Sequence, residues 1–291
     1  MYNWNKNMKN TLILLFILVF RASYAQYSAE EQKKLDSLNA IIADPESHDT
    51  SIVNIYLALS EILYSSNPDT VIPLCEKSLL IAQKALKNKP SEEISNALKK
   101  SIALNYNNIG FINKKKGEKE KAIRFYTKSL EMQKELNDKK EIANCLTNIG
   151  TFYYQQGNMD TTISIYLEAL KYLEESDENK GLAIILNNIG SVYKRQGDIV
   201  TALKYYHRSL KIKEEIGDLS GIATSLNNLG NIYKNQGDFK KALEYYLKSL
   251  AIREQEGGKD QDGLAAILSN IGTFYQSQNE IEKGLIYLNR S

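Results

Sequence analysis

At 291 residues, with 43% hydrophobic and 25% charged side chains, the chain has room for two ordinary domains or one extended array. Its 37 basic and 35 acidic residues almost cancel, which removes the electrostatic case for a nucleic-acid partner. Only two cysteines and two histidines are present, and no HExxH, CxxC, GxSxG or phosphate-loop pattern occurs, so the composition points away from enzymatic chemistry.

Residues 1–25 read as a secretory leader. Lys6 and Lys9 precede an uncharged apolar run from Thr11 to Phe20, and small residues at Ser23 and Ala25 suit a signal peptidase. Ten apolar residues fall short of the roughly 20 needed to span a bilayer, so the layout predicts export with cleavage near Ala25; a short uncleaved anchor is the alternative. No cysteine follows the run, against a lipoprotein anchor. Cleavage deletes Lys6, Lys9 and Arg21 and no acid, taking the formal charge from +2 to −1. The exported chain is then expected periplasmic or secreted, with no direct membrane insertion.

Residues 26–49 contain a short predicted helix that ends near Ile42, before Pro45. Over 51–90 the pattern is that of a degenerate helical hairpin. Ile52, Ile55, Tyr56, Leu59, Ile62 and Leu63 stripe its first helix; Asn67-Pro68-Asp69 makes the turn; the second helix runs from Thr70 to Leu86. Ser91 with Glu92 and Glu93 then opens a long helix, to about Lys115.

From there to Ser291 one motif recurs. Asn107-Asn108-Ile109-Gly110 returns as Thr147-Asn148-Ile149-Gly150, Asn187-Asn188-Ile189-Gly190, Asn227-Asn228-Leu229-Gly230 and Ser269-Asn270-Ile271-Gly272, with glycines 40, 40, 40 and 42 residues apart. Self-similarity at that period predicts a solenoid, because a unit this small cannot bury its apolar face alone. Residues 91–291 make five such units, the last incomplete. In the first helices Ala183, Leu186, Ile189, Gly190 and Tyr193 fall on one face; in the second, Ala202, Tyr206 and Leu210 recur as Ala242, Tyr246 and Leu250, widened by Tyr205 and Tyr245. A glycine inside a helix costs about 1 kcal/mol against alanine, so five of them predict a partner helix too close for any Cβ. Gly117, Gly157, Gly197 and Gly237 are placed to end the first helices, and Asn158, Asp198 and Asp238 to cap the second. Cys75 and Cys145, 70 residues apart in non-adjacent units, read as buried thiols rather than a disulfide.

These residues resemble tetratricopeptide repeats, strongly over 100–291 and weakly over 51–90. Leu186, Ile189, Gly190, Tyr193, Ala202, Tyr206, Ser209 and Leu210 all stand at the family's spacing. The 40-residue period is similar to the long-hairpin subgroup of kinesin light chains and many bacterial sensory proteins. The resemblance implies an all-α, right-handed superhelical solenoid of antiparallel helix pairs, whose concave face holds peptides or helices. It implies no cofactor and no enzyme activity. Leader plus repeats also resembles the extracytoplasmic half of bacterial sensor histidine kinases and related regulators. This chain shows no membrane helix, kinase region or DNA-binding tail, so it would be a truncated or stand-alone member. The last unit stops partway along its second helix. Ile281, Leu285 and Leu288 would then face an absent neighbour, as in a fragment or an end that pairs with another protein.

The inner face of such an array comes mainly from the first helices. Asn108, Asn148, Asn188, Asn228 and Asn270 form one row across it, and Asn107, Asn187 and Asn227 a partial second. Each amide offers both a donor and an acceptor, so the rows could hold an extended peptide by its backbone; the alternative is that they brace adjacent helices. Lys114, Lys194 and Lys234, with Lys115 and Arg195, make the region beyond basic and favour acidic or C-terminal carboxylate ligands. His48 falls in an early loop, and His207 occupies a position filled elsewhere by Thr127, Leu167 and Leu247. Runs such as Lys213-Glu214-Glu215 read as solvated helix faces. The expected function is a non-enzymatic scaffold of the cell envelope with a protein or peptide partner. A sensory input region acting through a membrane-bound signalling protein, and a module that stacks end to end, are the competing readings.

Overall fold

The structure is a computed structural model that describes residues 29–43, 48–66, 68–255 and 260–291. The expected leader lies outside the described residues. Thirteen α-helices and no strand occur among those described. They are α1 (Ala29–Ala43), α2 (Asp49–Ser66), α3 (Pro68–Lys87), α4 (Glu92–Lys115), α5 (Lys119–Leu136), α6 (Lys139–Gln155), α7 (Met159–Glu174), α8 (Asn179–Gln196), α9 (Ile199–Glu215), α10 (Leu219–Asn235), α11 (Phe239–Gln255), α12 (Gln261–Ser277) and α13 (Ile281–Leu288). The chain divides into two compact units, one ending at Asp138 and the other running from Lys139 to Ser291. Within each, helices pair as hairpins and the hairpins pack in series.

Local signals set the helix ends. The Thr201 N–H donates to Asp198 Oδ1 at 3.0 Å and the Lys241 N–H to Asp238 Oδ1 at 3.1 Å; Asn158 serves the Thr161 N–H at 3.2 Å. Gly197, at φ +86°, closes α8 with its N–H on the carbonyls of Tyr193 and Lys194, a left-handed position that suits a residue without Cβ. Asp218 and Asp260 cap α10 and α12 through the N–H groups of Gly221 and Gly263 at 3.0 and 2.9 Å. A Cβ on either glycine would run into the capping carboxylate, which explains a second glycine series, with Gly181, that the repeat pattern did not single out.

In the unit from Lys139, the stripes of the second helices are buried: Ala202, Tyr206 and Leu210 pack with Leu226, Leu229 and Ile232, and Ala242, Tyr246 and Leu250 with Ile267, Leu268 and Ile271. Each cluster takes its second half from the following hairpin, so cohesion lies between repeats as well as within them. Ser209 and Ser249 tie second helix to first by donating to the carbonyls of Ala183 and Ala223, both at 2.7 Å. The first helices also bury a second stripe the spacing reading missed, including Ile142, Cys145, Ile185, Val192 and Ile232. They are wedged between two neighbours, where the pattern suggested one. At the last hairpin Leu288 packs over Gly272, which corrects the expectation that it faces an absent neighbour; Ile281 and Leu285 are exposed.

The unit ending at Asp138 has one core from Val53 to Ile112. Pro68 stands at the first position of α3, where its missing N–H costs nothing, and Pro73 lies one turn further in. Cys75 and Cys145 are free buried thiols, and burial pushes the Cys75 thiol up to about 12.

Candidate functional site

The repeat glycines explain how the first-helix face is built. A Cβ at Gly230 would lie 2.5 Å from Tyr246 Cδ1, one at Gly110 2.8 Å from Tyr126, and one at Gly190 3.1 Å from Tyr206; at Gly150 the Tyr166 ring is closer still. The crowding thus comes from the Cδ1–Cε1 side of a tyrosine ring set against the glycine rather than from helix backbone alone. Only at Gly272 does a leucine, Leu288, take the ring's place.

At Gly150, Gly190 and Gly230 the residue after the glycine meets the buried phenol. Thr151 Oγ1 lies 3.1 Å from Tyr166 Oη, Ser191 Oγ 2.9 Å from Tyr206 Oη, and Tyr246 Oη donates to Asn231 Oδ1 at 2.8 Å. Burial raises the pKa of Tyr166 and Tyr206, and pushes Tyr246 up to about 12. The repeat pattern left these partners unnoticed because threonine, serine and asparagine share no obvious identity there; what they share is a hydrogen-bonding group.

The asparagine rows are half-buried, and the structure separates their roles. Asn108 Nδ2 donates to Ser60 Oγ at 3.2 Å, and Asn270 Nδ2 to Asn227 Oδ1 at 2.8 Å. These three brace neighbouring first helices. Asn188 and Asn228 make no hydrogen bond among the described residues, and Asn187 Oδ1 is buried without a partner. Asn107 and Asn148 are half-buried and engaged.

The cations differ too. Arg195 is exposed, yet its Nη1 donates to the Tyr154 carbonyl at 3.1 Å and its guanidinium sits 5.1 Å from the Tyr154 ring centroid. It is a positioned charge linking α8 to α6. Lys194 is exposed, Lys234 half-buried. Burial lowers the pKa of Lys114, and Lys115 lies over the Tyr64 and Phe111 rings. Helices α8 and α10 contain no aspartate or glutamate.

Lys213 corrects the solvated-face reading. Only 5% exposed, it donates from Nζ to Ser225 Oγ at 2.8 Å; burial lowers its pKa while Asp218 partly opposes the shift. Forty residues on, Arg253 fills the same place, paired with Asp260 and donating to Thr224 Oγ1 at 2.9 Å. His48 borders an open cleft of about 370 Å³ with Asn88, Pro90 and Ile94, which contains none of the asparagine rows. His207 is exposed. Among the described residues no cluster of three His, Cys, Asp or Glu could hold a metal, and no helix is long and apolar enough to cross a membrane.

Comparison with known proteins agrees with this geometry. No curated protein matches the chain. Among solved structures it is similar to BtubC from P. vanneervenii (22% identity, TM-score 0.65, covering 78% of this chain and 90% of that one). It is also similar to aspartyl phosphate phosphatase F from Bacillus subtilis (15%, 0.64, 90% and 67%). A third is a signal-transduction ATPase with numerous domains from Pyrococcus horikoshii that carries a tetratricopeptide repeat sensor (16%, 0.69, 90% and 38%). At these identities the likeness shows the fold. Two family models described as tetratricopeptide repeat match residues 103–136, 141–215 and 221–291, more than half of the sequence. With paired helices in series, a glycine under a tyrosine in each of four hairpins and family matches over that span, the chain belongs to the tetratricopeptide repeat family.

Proposed function

We propose that the protein is a non-enzymatic scaffold of the cell envelope that holds a protein or peptide segment on its first-helix face. In the unit from Lys139 the residues concerned are Asn148, Asn187, Asn188, Asn228, Lys194, Arg195 and Lys234, with Asn227 and Asn270 bracing beside them. The observation that carries the reading is the pair Asn188 and Asn228: half-buried amides on adjacent first helices, with no hydrogen bond among the described residues and no acid on either helix. Amides left uncommitted at a helix face can pair with a ligand backbone. A structural relative, a Rap protein, has been solved in complex with Competence and Sporulation Factor (15% identity, TM-score 0.58), which supports a binding role for the architecture. The leader over residues 1–25 supports export.

The test is capture from an envelope extract by the intact chain and by the triple variant Asn148→Ala, Asn188→Ala, Asn228→Ala. The reading expects helicity to be kept and the captured partner lost. A partner retained at full affinity by the triple variant moves the binding surface elsewhere.

A sensory role in two-component signalling is the second reading, favoured by a relative whose repeats are described as a sensor. It expects the gene to continue past Ser291 into a membrane helix and a phospho-accepting histidine, or the protein to bind a membrane kinase.

A further inference from the structure

Beside the enclosed phenols runs a second tyrosine series, in stacked pairs. Tyr193 of α8 lies against Tyr205 of α9 with ring centroids 5.7 Å apart and planes 7° from parallel. Tyr233 of α10 and Tyr245 of α11 stand at 5.4 Å and 3°, and Tyr275 of α12 and Tyr287 of α13 at 5.7 Å and 15°. Each pair joins the two helices of one hairpin. All six residues are half-buried, and none of their hydroxyls makes a hydrogen bond among the described residues, unlike those of Tyr166, Tyr206 and Tyr246. Burial raises the pKa of Tyr205, Tyr245 and Tyr275, and the partner phenol adds to the rise in each pair, as expected where the two oxygens lie on the same side of the stack. Packing does not call for the second phenol: in the hairpin of α6 and α7 the matching positions hold Tyr153 and Ile165. Nor do thiols supply a covalent tie, since Cys75 and Cys145 are free and buried.

We infer that these three pairs are oxidative cross-linking sites, at which a peroxide-driven one-electron oxidant joins the two rings as dityrosine and staples the hairpin. Each phenol gives one electron to the oxidant and its proton to water, leaving a neutral phenoxyl radical with spin on the carbons beside the C–O bond. Two such radicals couple through those carbons and form one C–C bond. Each coupled carbon then loses its hydrogen as a proton while its ring oxygen regains one, which restores two aromatic phenols. Two phenols and one hydrogen peroxide thus give one biphenol and two waters, with the peroxide reduced. The stack keeps the second ring beside the first, so coupling within a hairpin outruns the encounter of two chains. Lys241 lies 5.1 Å from the Tyr233 centroid and Lys248 6.0 Å from that of Tyr245, so cations help to hold this pair. The enclosed tyrosines take no part, because their rings are buried. The link stabilises the hairpin chiefly by restricting the unfolded chain. Stapling is independent of what the first-helix face holds.

The experiment treats the full chain, in dilute solution, with a haem peroxidase and hydrogen peroxide. The monomer is recovered from a denaturing gel and its linked peptides are mapped by mass spectrometry. Peptide pairs lighter by two hydrogens should join Tyr193 to Tyr205, Tyr233 to Tyr245 and Tyr275 to Tyr287, each at least about tenfold above any other tyrosine pair. Tyr233→Phe keeps a ring in the stack but no phenol; it should abolish its own link, leave the other two at full yield and send no new link to Tyr246. Circular dichroism checks that helicity is kept; should this variant lose it, Tyr245→Phe is decisive. The chain unfolded in urea should lose the pairing preference, and the linked monomer should unfold at a higher urea midpoint than the untreated one. Absence of dityrosine from the monomer, links confined to dimers or spread evenly over other tyrosines, the same pattern from the unfolded chain, or an unchanged midpoint would overturn the inference.

Discussion

Asparagines do different work in the two units. In the one ending at Asp138, Asn105 is fully buried and donates to Ser78 Oγ and the Ser101 carbonyl, both at 2.8 Å. Asn113 donates to the Ile109 carbonyl at 2.7 Å and Asn108 reaches Ser60. In the unit from Lys139 the positions matching Asn105 hold Cys145, Ile185, Ser225 and Ile267, and the amides sit at the face instead, where Asn188 and Asn228 are uncommitted. A polar side chain braces where the neighbouring helix supplies a partner such as Ser60, and stays available where it does not. The same residue at one repeat register is thus a brace at Asn108 and Asn270 and uncommitted at Asn188 and Asn228.

The contrast can be broken most sharply at the glycines. Gly230→Ala should lose about 2 kcal/mol in urea unfolding, since overpacking against Tyr246 outweighs the usual helix gain of about 1 kcal/mol. Gly190→Ala, with its ring further away, should come out near zero. Equal losses at both would mean the ring contact does not govern the site. The asparagine comparison comes next: Asn105→Ala should destabilise by about 1.5 kcal/mol, because it removes a buried hydrogen bond to Ser78 Oγ, whose hydroxyl keeps only its bond to the Val53 carbonyl, whereas Asn188→Ala and Asn228→Ala should stay within about 0.5 kcal/mol. If the face asparagines prove equally costly, they brace after all. Lys213→Leu, which copies Leu173 at the matching position, should gain about 1 kcal/mol at neutral pH. Burial holds the folded-state pKa of Lys213 below its unfolded value. The penalty is therefore full below that depressed pKa and fades as pH rises through it toward about 10.4, so the advantage of Lys213→Leu should shrink in mild alkali. A constant advantage across that range would show that the amine is not the cause. The smallest effect is expected at the exposed pair Lys248–Glu244, where Lys248→Ala should leave the urea midpoint unchanged.

Much of the fold was legible because each repeat states its requirement five times. The glycine series, the Ala202, Tyr206, Leu210 stripe and the capping aspartates all follow from helical period and cap chemistry. The Gly181, Gly221 and Gly263 series escaped because its cause is contact with a cap three residues earlier and, at Gly181 and Gly263, with the end of the previous helix. Lys213 misled because charge usually means exposure, and only the packing of α9 on α10 reveals the buried amine. The asparagine rows were visible as rows. Which members would be occupied depended on hydrogen-bond partners 43 or 48 residues away, which periodicity does not report.

The ring-on-glycine contact has a practical outcome. Tyr126, Tyr166, Tyr206 and Tyr246 are the single buried phenols of four successive hairpins, and the fifth hairpin, with Leu288 in that place, has none among the described residues. Fluorinated tyrosine would therefore place one shielded nucleus in each of these four hairpins. The order in which those four signals move to solvent-like frequencies on heating would tell, rung by rung, from which end the ladder unzips.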